Sequence, residues 1–337
     1  MHNELDIPKP EKRMRRLRRN DAIRRMVRET HLFVDDLILP VFVEENTNER
    51  TPIGSMPDIY RETEQSLPDV VKKAESLGIP GIMLFGVSKH KDHIGSDSMH
   101  NQGLLARMIK RAKDASSSIQ VIADVCFCEY TDHGHCGPLN DDYTDVDNDR
   151  TLNNIALQAI NAAEAGADII APSGMMDGQV AAIRFGLNQS GFKDIPIMAY
   201  AAKFASAFYG PFRDAAGCSL GASKGPTDRK TYQMDPANAL EALREAGQDI
   251  TEGADMIMVK PGLPYLDVLW RVKERFAMPT FAYNVSGEYA MLKYAALAGA
   301  LDYDATMMEM LLSFKRAGAD GILTYAAIEA ATILNNS

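Results

Sequence analysis

Arg316-Ala317-Gly318-Ala319-Asp320-Gly321-Ile322-Leu323-Thr324-Tyr325 is the stretch from which the architecture can be read. A glycine supplies the left-handed residue that ends a helix, and a short apolar run follows at once. The same punctuation stands at Glu164-Ala165-Gly166-Ala167-Asp168 and Glu252-Gly253-Ala254-Asp255, and in a looser form at Leu77-Gly78-Ile79-Pro80. Working outward, eight short runs rich in Ile, Val, Leu or Met emerge: 37–43, 81–87, 121–126, 168–174, 197–203, 256–261, 280–285 and 321–325. Each is too short for an ordinary helix and apolar enough for a strand buried on both faces. Strand, helix and glycine turn, repeated in this way, predict an α/β fold of the (β/α)8 TIM-barrel type. A doubly wound open sheet is the alternative, but no Gly-x-Gly-x-x-Gly follows the first run.

The barrel is expected over 36–337, with 1–35 outside it as an extended N-terminal arm. Arginines crowd this arm (Arg13, Arg15, Arg16, Arg18, Arg19, Arg24, Arg25, Arg28), interleaved with Leu17, Ile23, Met26 and Val27. A basic arm can bind nucleic acid. The chain as a whole carries a net charge of -10, however, so an arm docking on a neighbouring subunit is the preferred reading. With 46% hydrophobic and 24% charged residues, the composition is that of an ordinary soluble protein. No apolar run is long enough to span a membrane, and no signal pattern is read at the N-terminus, so a cytoplasmic location is expected.

In this fold the chemistry lies at the carboxyl ends of the strands. The residues expected there are Asp124, Cys126, Ser173, Lys203, Lys260, Ser286 and Tyr325. Two of them are lysines flanked by apolar residues, in Tyr200-Ala201-Ala202-Lys203 and Met258-Val259-Lys260-Pro261-Gly262. Desolvation and a second cation both favour a neutral amine, which can attack a ketone to form a Schiff base. The bland alternative is a pair of strand-end lysines snorkelling to water. Cys126, Cys128 and Cys136 share a loop with His133 and His135, whereas Cys218 is isolated in a glycine-rich stretch. Three thiolates suit zinc. A structural site would close with His133 or His135, and a catalytic one would leave the fourth position open, with Asp124 as a partner. Buried free cysteines are the alternative. The segment from about 213 to 233 reads as a lid rich in glycine, with Ser219, Ser223, Lys224, Arg229 and Lys230 and with Arg213 at its start. Its arginines suit a substrate carboxylate, or else simple solubility.

Several motifs in order closely resemble the porphobilinogen synthase (5-aminolevulinate dehydratase) family. They are Asp124-Val125-Cys126-Phe127-Cys128, His133-Gly134-His135-Cys136-Gly137, Lys203-Phe204-Ala205-Ser206, Phe208-Tyr209-Gly210-Pro211-Phe212-Arg213, Met258-Val259-Lys260-Pro261-Gly262 and Val285-Ser286-Gly287-Glu288-Tyr289. The resemblance implies condensation of two 5-aminolevulinate molecules to porphobilinogen, through Schiff bases on Lys203 and Lys260 and a catalytic zinc on Cys126, Cys128 and Cys136. It assigns Lys260 to the acetyl-side substrate, which faces the metal, and Lys203 to the propionyl-side substrate. It implies that Arg213, Arg229 and Gln233 hold one carboxylate and Ser286 and Tyr325 the other, with Tyr209 as a further substrate contact. Asp124 and Ser173 line the pocket. The family also implies an octamer and an allosteric magnesium at Glu245, whose alternative is an exposed helix carboxylate. A different Schiff-base aldolase would need one lysine and no zinc. A zinc-folded scaffold acting through its arm would form no imine.

Overall fold

Eight parallel strands form the centre of the computed structural model: β1 Leu37–Glu44, β2 Gly81–Val87, β3 Gln120–Val125, β4 Ile169–Pro172, β5 Met198–Lys203, β6 Met256–Lys260, β7 Thr280–Asn284 and β8 Gly321–Thr324. The structure describes residues 10–218, 220 and 225–336. Ser219, Ser223 and Lys224 of the expected lid, and the first nine residues of the arm, lie outside the described residues.

Strand β1 pairs with β2 and β8, and the ladder continues through β3 to β4 on one side and through β7 and β6 to β5 on the other. A parallel bridge between Ile170 and Ile197 joins the two ends and closes the barrel. The (β/α)8 expectation therefore holds, with strand limits shifted by a residue or two. The largest shift is in β4, which ends at Pro172. Asp168 sits below this strand and not within it.

The repeated glycine turn has a second component that its sequence concealed. Gly166, Gly253 and Gly318 adopt φ of 101°, 106° and 98°, as the turn requires. The aspartate two residues on then reaches sideways to the foot of a neighbouring strand. Asp168 accepts from Val121 N (2.8 Å) and Lys113 Nζ (2.8 Å). Asp255 accepts from Ile197 N (2.8 Å) and Arg184 Nη2 (3.0 Å). Asp320 accepts from Thr280 N (2.7 Å) and Lys273 Nζ (2.7 Å). Each carboxylate thus accepts from a backbone N–H at the foot of the neighbouring strand and is itself held by a cation.

The chain divides into two compact units, Met1–His31 and Leu32–Ser337. The barrel unit begins a little earlier than expected. Phe33 N donates to Asp36 Oδ2 (2.8 Å), and Asp36 Oδ1 accepts from Lys315 Nζ (2.8 Å), so this segment is anchored to the barrel. Within the first unit, a short 3-10 helix Met14–Arg18 precedes a helix Asp21–Met26. Asn20 caps the second helix by accepting from Ile23 N (3.0 Å). Met14, Leu17, Met26 and Val27 are exposed. Among the described residues, no helix is long and apolar enough to cross a membrane.

Candidate active site and metal centre

Lys203 and Lys260 are the last residues of β5 and β6 and are direct register partners. Adjacent parallel strands lie about 4.8 Å apart, so the two side chains start side by side. Both are buried and point to the same mouth.

Their surroundings differ. The Lys260 ammonium lies 4.2 Å from the ring centre of Tyr283, 4.9 Å from Phe212, 5.0 Å from Tyr200 and 5.5 Å from Tyr209. Burial in this aromatic cage, followed by the charge of Lys203, pushes its pKa down to about 7. Lys203 donates to Ser173 O (2.6 Å). Burial lowers its pKa too, but the charges of Cys136, Cys126, Cys128 and Asp124 outweigh that and hold it above the ordinary value. The surroundings thus favour the neutral amine at Lys260 and the ammonium at Lys203. The cysteine charge that biases Lys203 is charge that a divalent cation would offset.

The turn after Lys260 is fixed by a buried acid. Glu288 Oε1 accepts from Gly262 N (3.1 Å) and Leu263 N (3.0 Å), while its Oε2 accepts from Asn284 Nδ2 (2.7 Å) and Val285 N (3.2 Å). One carboxylate thus ties the Lys260 turn to the N-terminus of the helix Ser286–Leu297. Burial pushes it up to about 8, against the pull of these four donors.

Cys126, Cys128 and Cys136 bring their sulfurs within 4.8 Å of one another, all buried. A tetrahedral zinc with bonds of about 2.3 Å needs sulfur spacings of about 3.8 Å, so the trio is close to one face of such a site. Three thiolates at this spacing repel. Hydrogen bonds from Cys126 and Cys128 hold the Cys136 thiol well down, and Cys126 and Cys136 push Cys128 up. A metal at their centre would let all three ionise, so the donor set fits a soft divalent cation. The histidines are committed elsewhere. His133 Nδ1 accepts from His135 N (3.1 Å) and its Nε2 meets His93 O (3.2 Å). His135 Nδ1 meets Tyr232 Oη (2.9 Å) and its Nε2 meets Pro226 O (3.0 Å).

Asp124, the penultimate residue of β3, accepts from Ser173 Oγ through Oδ2 (3.1 Å). Its other oxygen has no hydrogen-bond partner among the described residues, and burial raises its pKa against the pull of Lys203 and Lys260. Arg229 Nη2 donates to Gly134 O (2.7 Å) and Cys218 O (3.3 Å). Ser286 Oγ accepts from Phe212 N (2.9 Å), Tyr209 Oη donates to Lys260 O (3.1 Å), and the hydroxyls of Tyr325 and Tyr283 lie 3.2 Å apart.

The cavity that results is lined by Lys203, Lys260, Ser173, Arg229, Cys128 and Glu129, with Phe85, Tyr209 and Phe212. Its free space is about 10 Å³, at the lower limit for one water. Phe212 and Arg229 are among the side chains that close it.

Three expectations change. Arg213 stands outside this cavity, beside Asp214, Leu220, Thr227 and Asp228. Gln233 is buried near Arg229 with both amide atoms unpartnered among the described residues, and it too does not line the lysine cavity. The metal was expected beside the substrate on Lys260, but after burial the largest influences on Lys203 are the three cysteines, whereas on Lys260 Cys128 acts behind Lys203 and Asp124. Tyr283 stands beside Lys260, with its hydroxyl 3.2 Å from that of Tyr325.

Residue-type reasoning missed Tyr283 and Phe212, which cage Lys260, and Glu129, whose buried Oε1 has no partner among the described residues. Glu129 directly follows Cys128, and that adjacency was the available signal. Glu245 sits half-buried on the helix Ala239–Glu252. Burial and the charges of Asp177 and Glu241 raise its pKa, and it lines an outer cavity with Asp145, Asp177, Asp235 and Glu241.

Comparison with known proteins matches residues 11–333 to the family model described as delta-aminolevulinic acid dehydratase. A delta-aminolevulinic acid dehydratase of Halalkalibacterium halodurans is 53% identical over 326 residues, covering 96% of this chain and 97% of the relative. The Escherichia coli protein of that name is 51% identical over 319 residues, covering 95% and 96%. The fold matches the crystal structure of delta-aminolevulinic acid dehydratase (porphobilinogen synthase) from Toxoplasma gondii ME49 in complex with the reaction product porphobilinogen. The TM-score is 0.92 at 45% identity, covering 96% of this chain and 92% of that one. With barrel, paired lysines and thiol cluster all in place, this chain belongs to the delta-aminolevulinic acid dehydratase family.

Proposed function

We propose that this protein condenses two molecules of 5-aminolevulinate into porphobilinogen with loss of two waters, a step of tetrapyrrole synthesis. The observation that carries the reading is the register pairing of Lys203 with Lys260 beside a three-thiol cluster. Two amines suit two ketones. The neutral Lys260 amine attacks the keto carbon of one substrate, and loss of water leaves an imine. Lys203 does the same for the second substrate, on the side of the mouth that bears the cysteines.

Cys126, Cys128 and Cys136 are the residues to hold zinc, and a zinc bound there supplies Lewis-acid polarisation of a carbonyl. Asp124, with one buried oxygen unpartnered and Ser173 on the other, is placed to take and return protons beside both lysines. Arg229 and Gln233 on one side, and Ser286 and Tyr325 on the other, are the proposed carboxylate contacts. Arg213 and Tyr209 join them as the covering segment rearranges. Two substrates need far more room than the cavity now offers, so Phe212 and Arg229 must withdraw to admit them, in keeping with a lid over about 213–233.

Glu245 is proposed as a magnesium contact, since hydrated Mg²⁺ takes few protein oxygens and the outer cavity supplies several. Loss of magnesium stimulation in Glu245→Ala, with unchanged activity in its absence, is the expected result, read by titrating Mg²⁺ in the assay. The arm, basic and with exposed Met14, Leu17, Met26 and Val27, is proposed to dock on a neighbouring copy in a homo-octamer working in the cytoplasm.

A colorimetric porphobilinogen assay with 5-aminolevulinate tests the activity. Product should form, cease on chelation and return with added zinc. No product under zinc-replete conditions would overturn the reading.

A further inference from the structure

The helix Gly210–Ala216 carries Phe212, and its two ends are held by different parts of the barrel. At its start, Phe212 N donates to Ser286 Oγ (2.9 Å) and the neighbouring Tyr209 Oη donates to Lys260 O (3.1 Å). At its far end Gly217, with φ of 59°, stops the helix. The last carbonyls of a helix lack partners within it. Here two cations take them. Arg61 Nε donates to Ala215 O (2.7 Å) and Arg61 Nη2 to Asp214 O (2.6 Å). Lys91 Nζ donates to Gly217 O (2.8 Å). Ser55 Oγ adds a bond to Asp214 Oδ2 (2.6 Å). Positive charge at this end also meets the negative pole of the helix.

The anchors come from the same strands that pack on Phe212. Arg61 lies on the short strand Tyr60–Thr63, which pairs with β1, and its register partner there is Phe42. Lys91 follows β2, the strand of Phe85. The rings of Phe42 and Phe85 lie 5.6 Å and 5.4 Å from that of Phe212. The barrel therefore seats the helix twice over, through its central ring and through its last carbonyls. Phe212 in turn stands 4.9 Å from the Lys260 ammonium. Lys203 meets Ser173 O (2.6 Å) and the Tyr200 ring (5.6 Å), neither of them on this helix. What happens at the helix end is thus felt at one amine far more directly than at the other.

We propose that Arg61, together with Lys91, is a positioning residue for the reaction at Lys260. Arg61 touches no substrate. By seating the end of the helix it fixes where the Phe212 ring stands beside the amine and where Phe212 N meets Ser286 Oγ. The inference rests on the reading of Lys260 as an imine-forming amine. Substrate displaces the ring, and the anchored ends decide where the ring settles around it. Without Arg61, the carbonyls of Asp214 and Ala215 turn to water and the helix end drifts. Water then reaches the aromatic cage, which favours the ammonium over the attacking amine, and Ser286 loses its alignment. A misplacement of about 1 Å far from the chemistry can cost about 100-fold, so an indirect effect of this kind is large enough to read.

The test is borohydride trapping of 4-oxopentanoate, the substrate skeleton lacking its amino group, on the full-length, zinc-loaded protein, with the rate at each lysine read by peptide mass. Arg61→Ala should lower the rate at Lys260 by about tenfold and leave Lys203 within about twofold of the parent. Arg61→Lys, which can reach one of the two carbonyls, should regain part of the loss. In a Phe212→Ala background, Arg61→Ala should cost no more than about threefold at Lys260, because the ring that transmits the effect is gone. Lys91→Ala removes a single hydrogen bond and keeps the test open should Arg61→Ala not fold. It should lower the rate at Lys260 by about threefold. Equal falls at both lysines, or no fall at Lys260, would overturn the positioning role while leaving the two-amine reading intact. A parent trapped at neither lysine would overturn both.

Discussion

Lys203 and Lys260 end neighbouring strands in register and are buried alike, yet their amines are biased in opposite directions. Lys260 faces aromatic rings and a second cation, whereas Lys203 faces thiols and a carboxylate. Burial disfavours charge at both, so the sign is decided by the neighbours. The difference makes Lys260 a nucleophile by itself and makes Lys203 depend on whatever neutralises the cysteines. The fold thus couples the metal to one of its two amines.

The largest expected effect is on turnover. Lys203→Ala and Lys260→Ala should each lower it by on the order of 10⁴-fold or more, measured as porphobilinogen formed. A variant keeping a tenth of the parent rate would show that one lysine is dispensable, and would break the pairing.

The next effect separates the amines. Borohydride trapping of 4-oxopentanoate, read by peptide mass, should rise about tenfold per pH unit at Lys260 below pH 7 and level off above about 7, because only the neutral amine attacks. In zinc-free protein, trapping at Lys203 should require higher pH, and zinc should bring it down while leaving Lys260 nearly unchanged. Equal responses to zinc would remove the distinction drawn here.

Smaller effects concern the carboxylates. Arg229→Ala should weaken trapping at Lys203 by about 10- to 100-fold, as loss of a hydrogen bond to a charged group does. Ser286→Ala should weaken trapping at Lys260 by about fivefold, the scale of a neutral hydrogen bond. Exchange of the two outcomes would reverse the sides assigned to the substrates.

How far the site was legible in the sequence depended on how local each feature is. The lysines close short apolar runs, and Cys126, Cys128 and Cys136 share one loop, so chain spacing alone placed them together. Arg213 was expected at a carboxylate from its place at the lid and from the family resemblance, but it stands outside the lysine cavity, beside Asp214 and Asp228. Cys218 looked isolated for the opposite reason, since its link to the cysteine loop runs through Arg229, which donates to both Cys218 O and Gly134 O. The aspartates of the glycine turns bond to the feet of strands tens of residues away, a partnership that periodicity cannot show.

The sequence by itself determined the barrel, because eight apolar runs with glycine turns have few other ways to bury their faces. It also determined which side chains ring the mouth, because strand ends share one rim. Tertiary structure alone decided which amine is neutral, which lysine the sulfurs bear on and where the last cysteine lies. These depend on through-space distances between charges and rings on different strands, and the order of residues along a chain does not set such distances.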